Sequence, residues 1–121
     1  MGCPFCDYPE TVFENDLALA LYDRHPVTPG HMLIVPKRHC ADFFEVTGEE
    51  RRAIADLIDR CKRHLDREFH PDGYNIGINC GEAAGQTVFH LHVHLIPRYR
   101  GDVQDPRGGV RGVIPDKRVY A

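Results

Sequence analysis

The stretch Gln86-Thr87-Val88-Phe89-His90-Leu91-His92-Val93-His94-Leu95-Ile96-Pro97 places three of the chain's eight histidines at alternate positions in an apolar run that ends at a proline. In an extended strand alternate side chains share one face, so the spacing predicts His90, His92 and His94 side by side. Each alternate step advances about 6.7 Å, which sets His90 and His94 roughly 13 Å apart and poorly placed to hold one ion together. The three histidines are therefore expected to have different tasks. A lone histidine in such a strand is most simply a polar group on a half-buried edge; three in register call for a chemical explanation.

Around this stretch the chain has ordinary proportions. Its 121 residues, 42% apolar and 27% charged, suit one soluble globular domain and are too few for two. A formal charge of −3 leaves no basic footprint, so nucleic acid and an acidic membrane surface are not expected partners. No apolar run approaches a membrane span, and the first residues lack the pattern of a signal peptide; a cytoplasmic address is expected. Met1-Gly2-Cys3 invites thought of lipidation, but Cys6 stands where the acylation motif wants Ser or Thr. Five cysteines, an odd number, argue against a disulfide framework. Cys61 falls on the apolar stripe of a helix as a small core residue, and Cys40 and Cys80 carry no clear message.

Taken in order, the chain starts with Cys3-Pro4-Phe5-Cys6, whose two-residue spacer lets a tight turn aim both sulfurs at one tetrahedral ion. Alone this is half a site, and two unengaged thiols explain it equally well. Residues 11–15 and 17–22 read as short strands around a turn at Asn15-Asp16. Pro26-Val27-Thr28-Pro29-Gly30 is a stiff turn, and His31-Met32-Leu33-Ile34-Val35 is a third strand stopped by Pro36, buried on both faces. Thr47-Gly48-Glu49-Glu50 is a capping box. From it Ala53, Ile54, Leu57, Ile58, Cys61, Leu65 and Phe69 recur at three and four along a helix that Pro71-Asp72-Gly73 ends. Residues 74–79 alternate as a strand, 81–85 form a loop, and the histidine strand follows. Residues 98–121, rich in Gly and Arg, are expected to be a flexible surface segment, with Arg98, Arg100, Arg107 and Arg111 candidates to close over a polyphosphate. Five strands and one long helix without βαβ alternation indicate an α+β fold with a five-stranded antiparallel sheet.

The pattern His90-Leu91-His92-Val93-His94-Leu95-Ile96, with Gly85-Gln86-Thr87 before it, resembles the signature of the histidine triad family of nucleotide hydrolases and transferases. Residues 13–102 look most like the fragile histidine triad (Fhit) branch, through Pro29-Gly30-His31, Gly85-Gln86-Thr87-Val88, and Pro97-Arg98 with Gly101-Asp102. The Cys3-to-Cys6 start resembles instead the zinc-containing bacterial members of the Hint-like branch. The resemblance spans nearly the whole chain and mixes features of both branches.

The resemblance implies a homodimer whose sheets join edge to edge, acting at the α-phosphate of a purine nucleotide without an organic cofactor. By position, His92 is the nucleophile, a neutral imidazole whose other nitrogen a backbone carbonyl holds; it would form a nucleotidyl-histidine that water hydrolyses. His94, Gln86 and Thr87 match contacts to phosphate oxygens or the bridging atom, and His31 matches a histidine that approaches the triad. Asn79 matches a polar residue that holds phosphate, Asp23 one that holds the ribose, and Phe5 an aromatic of the base pocket. A plain strand-end acid and plain core packing are competing readings for Asp23 and Phe5, and the short segment between Cys6 and Thr11 departs from Hint-like members at that pocket. Cys3, Cys6, His39 and His90 match a closed structural zinc site. Dinucleoside polyphosphates are the expected substrates, nucleoside phosphoramidates the alternative. A nucleotide-binding adaptor without turnover is a further one, although all the triad residues are present.

Overall fold

The expected capping box is present: Thr47 Oγ1 accepts the Glu50 amide at 3.1 Å and Glu50 Oε1 accepts the Thr47 amide at 2.9 Å. It starts helix α1, Gly48–Phe69, which ends where His70 turns left-handed at φ 51°. In this computed structural model, which describes residues 3–7 and 10–120, Glu50 is buried and Arg38 grips its carboxylate with two bonds of 3.0 and 2.8 Å. That charge-assisted fork, with desolvation opposing it, pushes the Glu50 carboxyl down to about 2. It ties the helix start to the chain that leaves the third strand.

Five strands form one sheet: β1 Phe13–Glu14, β2 Ala18–Tyr22, β3 Met32–Pro36, β4 Gly73–Gly77 and β5 Val93–Arg98. All pairs are antiparallel, in the order β1-β2-β3-β5-β4. The α+β fold with one long helix is therefore observed. Helix α1 packs Ile54, Leu57, Cys61 and Leu65 onto one face of the sheet, against Ala18, Ala20, Met32, Ile34, Val93 and Leu95. On the opposite face Leu21, Leu33 and Val35 form a smaller apolar cluster joined by Phe5. His94, paired with Leu33 and Gly77, belongs to this second face. Gly30 makes the turn into β3 at φ +88°, and a Cβ there would meet Leu65 at 3.1 Å and Phe69 at 3.2 Å. Only glycine fits both the backbone and the helix.

One expectation changes. The histidine strand begins at Val93, so His90 and His92 precede it. The reason is the end of β3: Pro36 has no N–H for a ladder, and its carbonyl accepts His90 Nε2 at 2.8 Å. The Leu91 amide donates to the Cys40 carbonyl at 2.8 Å. Residues 90–92 thus follow the loop after β3 through a side chain and a single backbone bond. Pro97 is tolerated because β3 pairs only as far as Leu95, leaving Pro97 to face Tyr74 of β4.

Past β5 the chain makes two short 3-10 turns, Gly109–Val113 and Pro115–Lys117, the first lying against β4. Its arginines bond largely to neighbouring polar groups. Arg98 forks onto Asp102 and reaches Asn75, Arg107 pairs with Asp105, and Arg111 donates to the Lys117 carbonyl. Arg118 donates to the carbonyls of Asp105 and Arg107. Among the described residues no helix is long and apolar enough to cross a membrane.

Candidate active site and metal centre

His92 sits at the entry to β5 with its Nδ1 2.9 Å from the carbonyl oxygen of His90. A carbonyl can only accept, so Nδ1 carries the proton and Nε2 keeps its lone pair. The Phe5 ring packs on His92 with centroids 5.0 Å apart. The backbone carbonyl expected to set the His92 tautomer is thus supplied two residues upstream.

His94 takes the opposite tautomer. The Val27 amide donates to His31 Nδ1 at 3.2 Å, so the proton of neutral His31 lies on Nε2. That nitrogen stands 3.0 Å from His94 Nδ1 and 3.5 Å from Asp23 Oδ2. His94 Nδ1 therefore accepts, and its own proton is on Nε2. Burial first, then the neighbouring His92 and His31, lowers His94 to about 4. Burial also lowers His31, against the opposing charge of Asp23. Both rings are neutral at pH 7. Two adjacent imidazoles, 5.1 Å apart, then present one lone pair and one N–H.

These groups border a cavity of about 530 Å³, within the size range of small-molecule sites. Phe5, Asp23, Asn79, Thr87, His31, His92 and His94 all line it. The structure therefore brings together seven of the residues singled out from the sequence. Asp23 closes the turn beneath by accepting the His25 amide at 2.8 Å.

A second cluster also borders Phe5, whose ring is 5.8 Å from that of His90. Cys3 Sγ, Cys6 Sγ, His39 Nδ1 and His90 Nδ1 all lie within 4.8 Å of one another. His90 Nδ1 is 3.2 Å from Cys3 Sγ, 3.4 Å from Cys6 Sγ and 3.1 Å from His39 Nδ1, while Cys6 Sγ is 3.3 Å from His39 Nδ1. Tetrahedral zinc with bonds of about 2.0–2.3 Å separates its ligand atoms by roughly 3.3–3.8 Å. The donor set matches that size. The Pro36 carbonyl takes the Nε2 proton of His90 and turns the Nδ1 lone pair inward, the outer-sphere arrangement of metal-binding histidines. Asp23, His31 and His94 also converge, but Val27 occupies His31 Nδ1, so Nε2 must keep its proton. That trio suits a proton relay better than a cation.

The family model for the HIT domain matches residues 8–101. The chain belongs to that family. It is 41% identical over 108 residues to Protein hit of Bacillus subtilis, covering 84% of this chain and 74% of the relative. It is 36% identical over 96 residues to the bis(5'-adenosyl)-triphosphatase of Dictyostelium discoideum, covering 79% and 64%. A zinc-bound histidine triad family protein from Mycobacterium smegmatis superposes with a TM-score of 0.77 at 38% identity, over 87% of this chain and 81% of that one.

Within this HIT domain one expected contact lies elsewhere. Gln86, a phosphate contact by the resemblance, is buried and does not line the cavity. Its Oε1 accepts the Gly81 amide at 2.8 Å, and its Nε2 donates to the Ala41 and Val88 carbonyls at 2.6 and 3.1 Å. Every polar atom is taken by backbone, so Gln86 staples the 81–88 loop to the loop after β3. Arg24 and His25 line the cavity without having been singled out. Their only signal was adjacency to Asp23 in a turn before Pro26.

Proposed function

We propose that this HIT domain is a nucleotide hydrolase that cleaves at the α-phosphate through a covalent intermediate on His92. The observation that carries the reading is the opposed tautomers of His92 and His94 on one cavity. His92 Nε2 attacks phosphorus in line; the P–Nε2 bond forms as the bond to the leaving group breaks and its electron pair departs. His94 Nε2–H lies within reach to donate a hydrogen bond to the leaving oxygen as its negative charge develops, and the His31–His94 bond holds the tautomer that makes this possible. Water then attacks phosphorus, its proton passing to solvent, and the P–Nε2 pair returns to His92. Splitting one displacement into two lowers each barrier, while Thr87 and Asn79 position the phosphate and the His90 carbonyl stabilises the imidazolium. Asp23 holds the ribose hydroxyls and Phe5 borders the base.

Dinucleoside polyphosphates are the proposed substrates, on the Fhit-like flanks of the triad and the likeness to a bis(5'-adenosyl)-triphosphatase. Nucleoside phosphoramidates are the second reading, favoured by a cavity beside His94 that no Lys, Arg, Asp or Glu lines. Zinc on Cys3, Cys6, His39 and His90 supplies structure, tying the N-terminal segment to the base of the triad. The protein is proposed to act as a cytoplasmic homodimer, through β4, which has a sheet partner on one side only among the described residues.

The test is intact mass spectrometry of protein quenched during turnover of diadenosine tetraphosphate and, separately, of adenosine phosphoramidate. An acid-labile adenylyl adduct is expected on the wild type and not on His92→Ala. Normal turnover by His92→Ala would overturn the mechanism, and cleavage of the phosphoramidate alone would reverse the order of the two substrate readings.

A further inference from the structure

The proton order of the His31–His94 pair depends on one amide, that of Val27, and Val27 is 67% exposed on the turn between β2 and β3. Pro26 before it has no N–H to give, and the ladder between β3 and β5 ends at Met32 and Leu95. Among the described residues no strand pairing therefore fixes this turn against β5. Two side chains do so instead. Thr28 Oγ1 donates to the Pro97 carbonyl at 2.6 Å, and the Tyr99 hydroxyl donates to the Pro29 carbonyl at 2.7 Å. Both bonds grip the turn directly after Val27. Tyr99 is itself anchored: its amide donates to Asp102 Oδ2 at 3.0 Å, and its carbonyl accepts the Asp102 amide at 2.9 Å. Arg98 forks onto the Asp102 carboxylate with two bonds of 2.8 Å and reaches Asn75 of β4 at 2.6 Å. The motif Pro97-Arg98 with Gly101-Asp102, which the phosphate chemistry leaves without a task, thus builds a rigid post for the Tyr99 hydroxyl.

We infer that Thr28 and Tyr99 are positioning residues for the hydrolysis: together they hold the Val27 amide on His31 Nδ1, and so keep the His94 N–H facing the cavity. The inference rests on the nucleotidyl-transfer reading above, in which His94 donates to the leaving oxygen. Neither side chain lines the cavity that holds His92, so both act through His31. Without the two hydroxyls the turn is free to swing and withdraw the Val27 amide. His31 Nδ1 can then carry the ring's own proton, which turns His31 Nε2 into an acceptor. His94 Nδ1 donates to it across the same 3.0 Å gap, and a lone pair instead of an N–H meets the leaving oxygen. One proton changes nitrogen on each ring, and neither ring changes charge.

The experiment compares the wild type with Thr28→Val/Tyr99→Phe, with Tyr99→Phe alone, and with Thr28→Ser, which keeps a hydroxyl. Ring-nitrogen NMR shifts of His31 and His94 read the tautomers in the free protein. A series of aryl esters of AMP with graded leaving-group pKa reads the donor during turnover. The double variant should lose the wild-type tautomers and turn over diadenosine tetraphosphate with a kcat about 10–10²-fold lower, the range a small misplacement produces. Its KM should stay within about twofold, and its kcat should fall more steeply with leaving-group pKa than that of the wild type. Tyr99→Phe should move in the same direction by less, and Thr28→Ser should match the wild type. Thermal melting accompanies each variant; if the double variant melts near the assay temperature, Tyr99→Phe carries the comparison. Unchanged tautomers, or a loss of kcat with the slope unaltered, overturn the positioning role and leave nucleotidyl transfer standing. A wild type that turns over neither diadenosine tetraphosphate, nor adenosine phosphoramidate, nor any aryl ester overturns both.

Discussion

His31 Nε2 and His94 Nδ1 stand 3.0 Å apart, and the proton between them belongs to His31 because the Val27 amide occupies its other nitrogen. This one bond decides that His94 faces the cavity as a donor. His31→Ala removes it and lets His94 take either tautomer. The expected result is a loss of about 10²–10³ in kcat for substrates whose leaving oxygen depends on that donor as its charge develops. For the p-nitrophenyl ester of AMP, whose leaving group needs no proton, the loss should be under about tenfold. Equal losses on both would show that His31 acts through the fold instead.

The depressed basicity of His94 makes stability depend on pH in a defined window. An unfolded histidine titrates near 6.5 and the folded ring near about 4, so between these values the unfolded chain binds more protons. Stability then rises with pH through the window, is fully present above it, and is lost as pH falls through it. A shift of this size corresponds to about 3 kcal/mol. His94→Gln should flatten the decline in melting temperature between pH 6.5 and 4.5 relative to the wild type. A parallel decline in both proteins would contradict the buried neutral ring. Glu50, lowered to about 2, contributes its loss only below its ordinary value of 4.5, outside that range.

Metal removal should act on stability before activity. At free zinc a thousandfold above its dissociation constant, binding adds about 4 kcal/mol. Chelation, or Cys3→Ser with Cys6→Ser, should release one zinc per chain by elemental analysis and lower the melting temperature by several degrees. Protein that binds no zinc when supplied with it, or that melts unchanged after losing it, would remove the structural role assigned to Cys3, Cys6, His39 and His90.

Gly30→Ala tests the joint between helix and site. The left-handed backbone and the contacts with Leu65 and Phe69 together predict a cost of about 1–3 kcal/mol. Because His31 is the next residue, kcat should fall as well, and the measurement is denaturant unfolding beside steady-state kinetics. A variant as stable as the wild type would mean that the turn has room to relax.

Glu50→Ala leaves the Arg38 guanidinium without its carboxylate and removes half of the capping box. A destabilisation of about 2–3 kcal/mol is expected. Arg38→Met leaves the Glu50 carboxylate, only 5% exposed, without its charge partner and should cost at least as much, since a buried charge left unpaired bears its desolvation penalty in full; the order of the two midpoints in urea is the check.

The sequence by itself determined the elements and the chemistry of the triad. The capping box, the three-and-four apolar stripe from Ile54 to Leu65, and the alternation along residues 74–79 are local signals that water and backbone geometry read without help. The alternate histidines at 90, 92 and 94 likewise marked a candidate site, with His92 as nucleophile only by family resemblance, and Cys3 and Cys6 offered half of a candidate metal site. Tertiary structure decided the rest. Only the Pro36 carbonyl, 54 residues from His90, turns that ring's lone pair toward the cysteines, and only Val27 and His31 orient His94. Gln86 had the right residue type and position for a phosphate contact, yet distant backbone groups claim all its polar atoms. A tautomer depends on which acceptor or donor lies at about 3 Å from each ring nitrogen. That neighbour is chosen by the packing of β3 against β5 and is invisible in a string of letters.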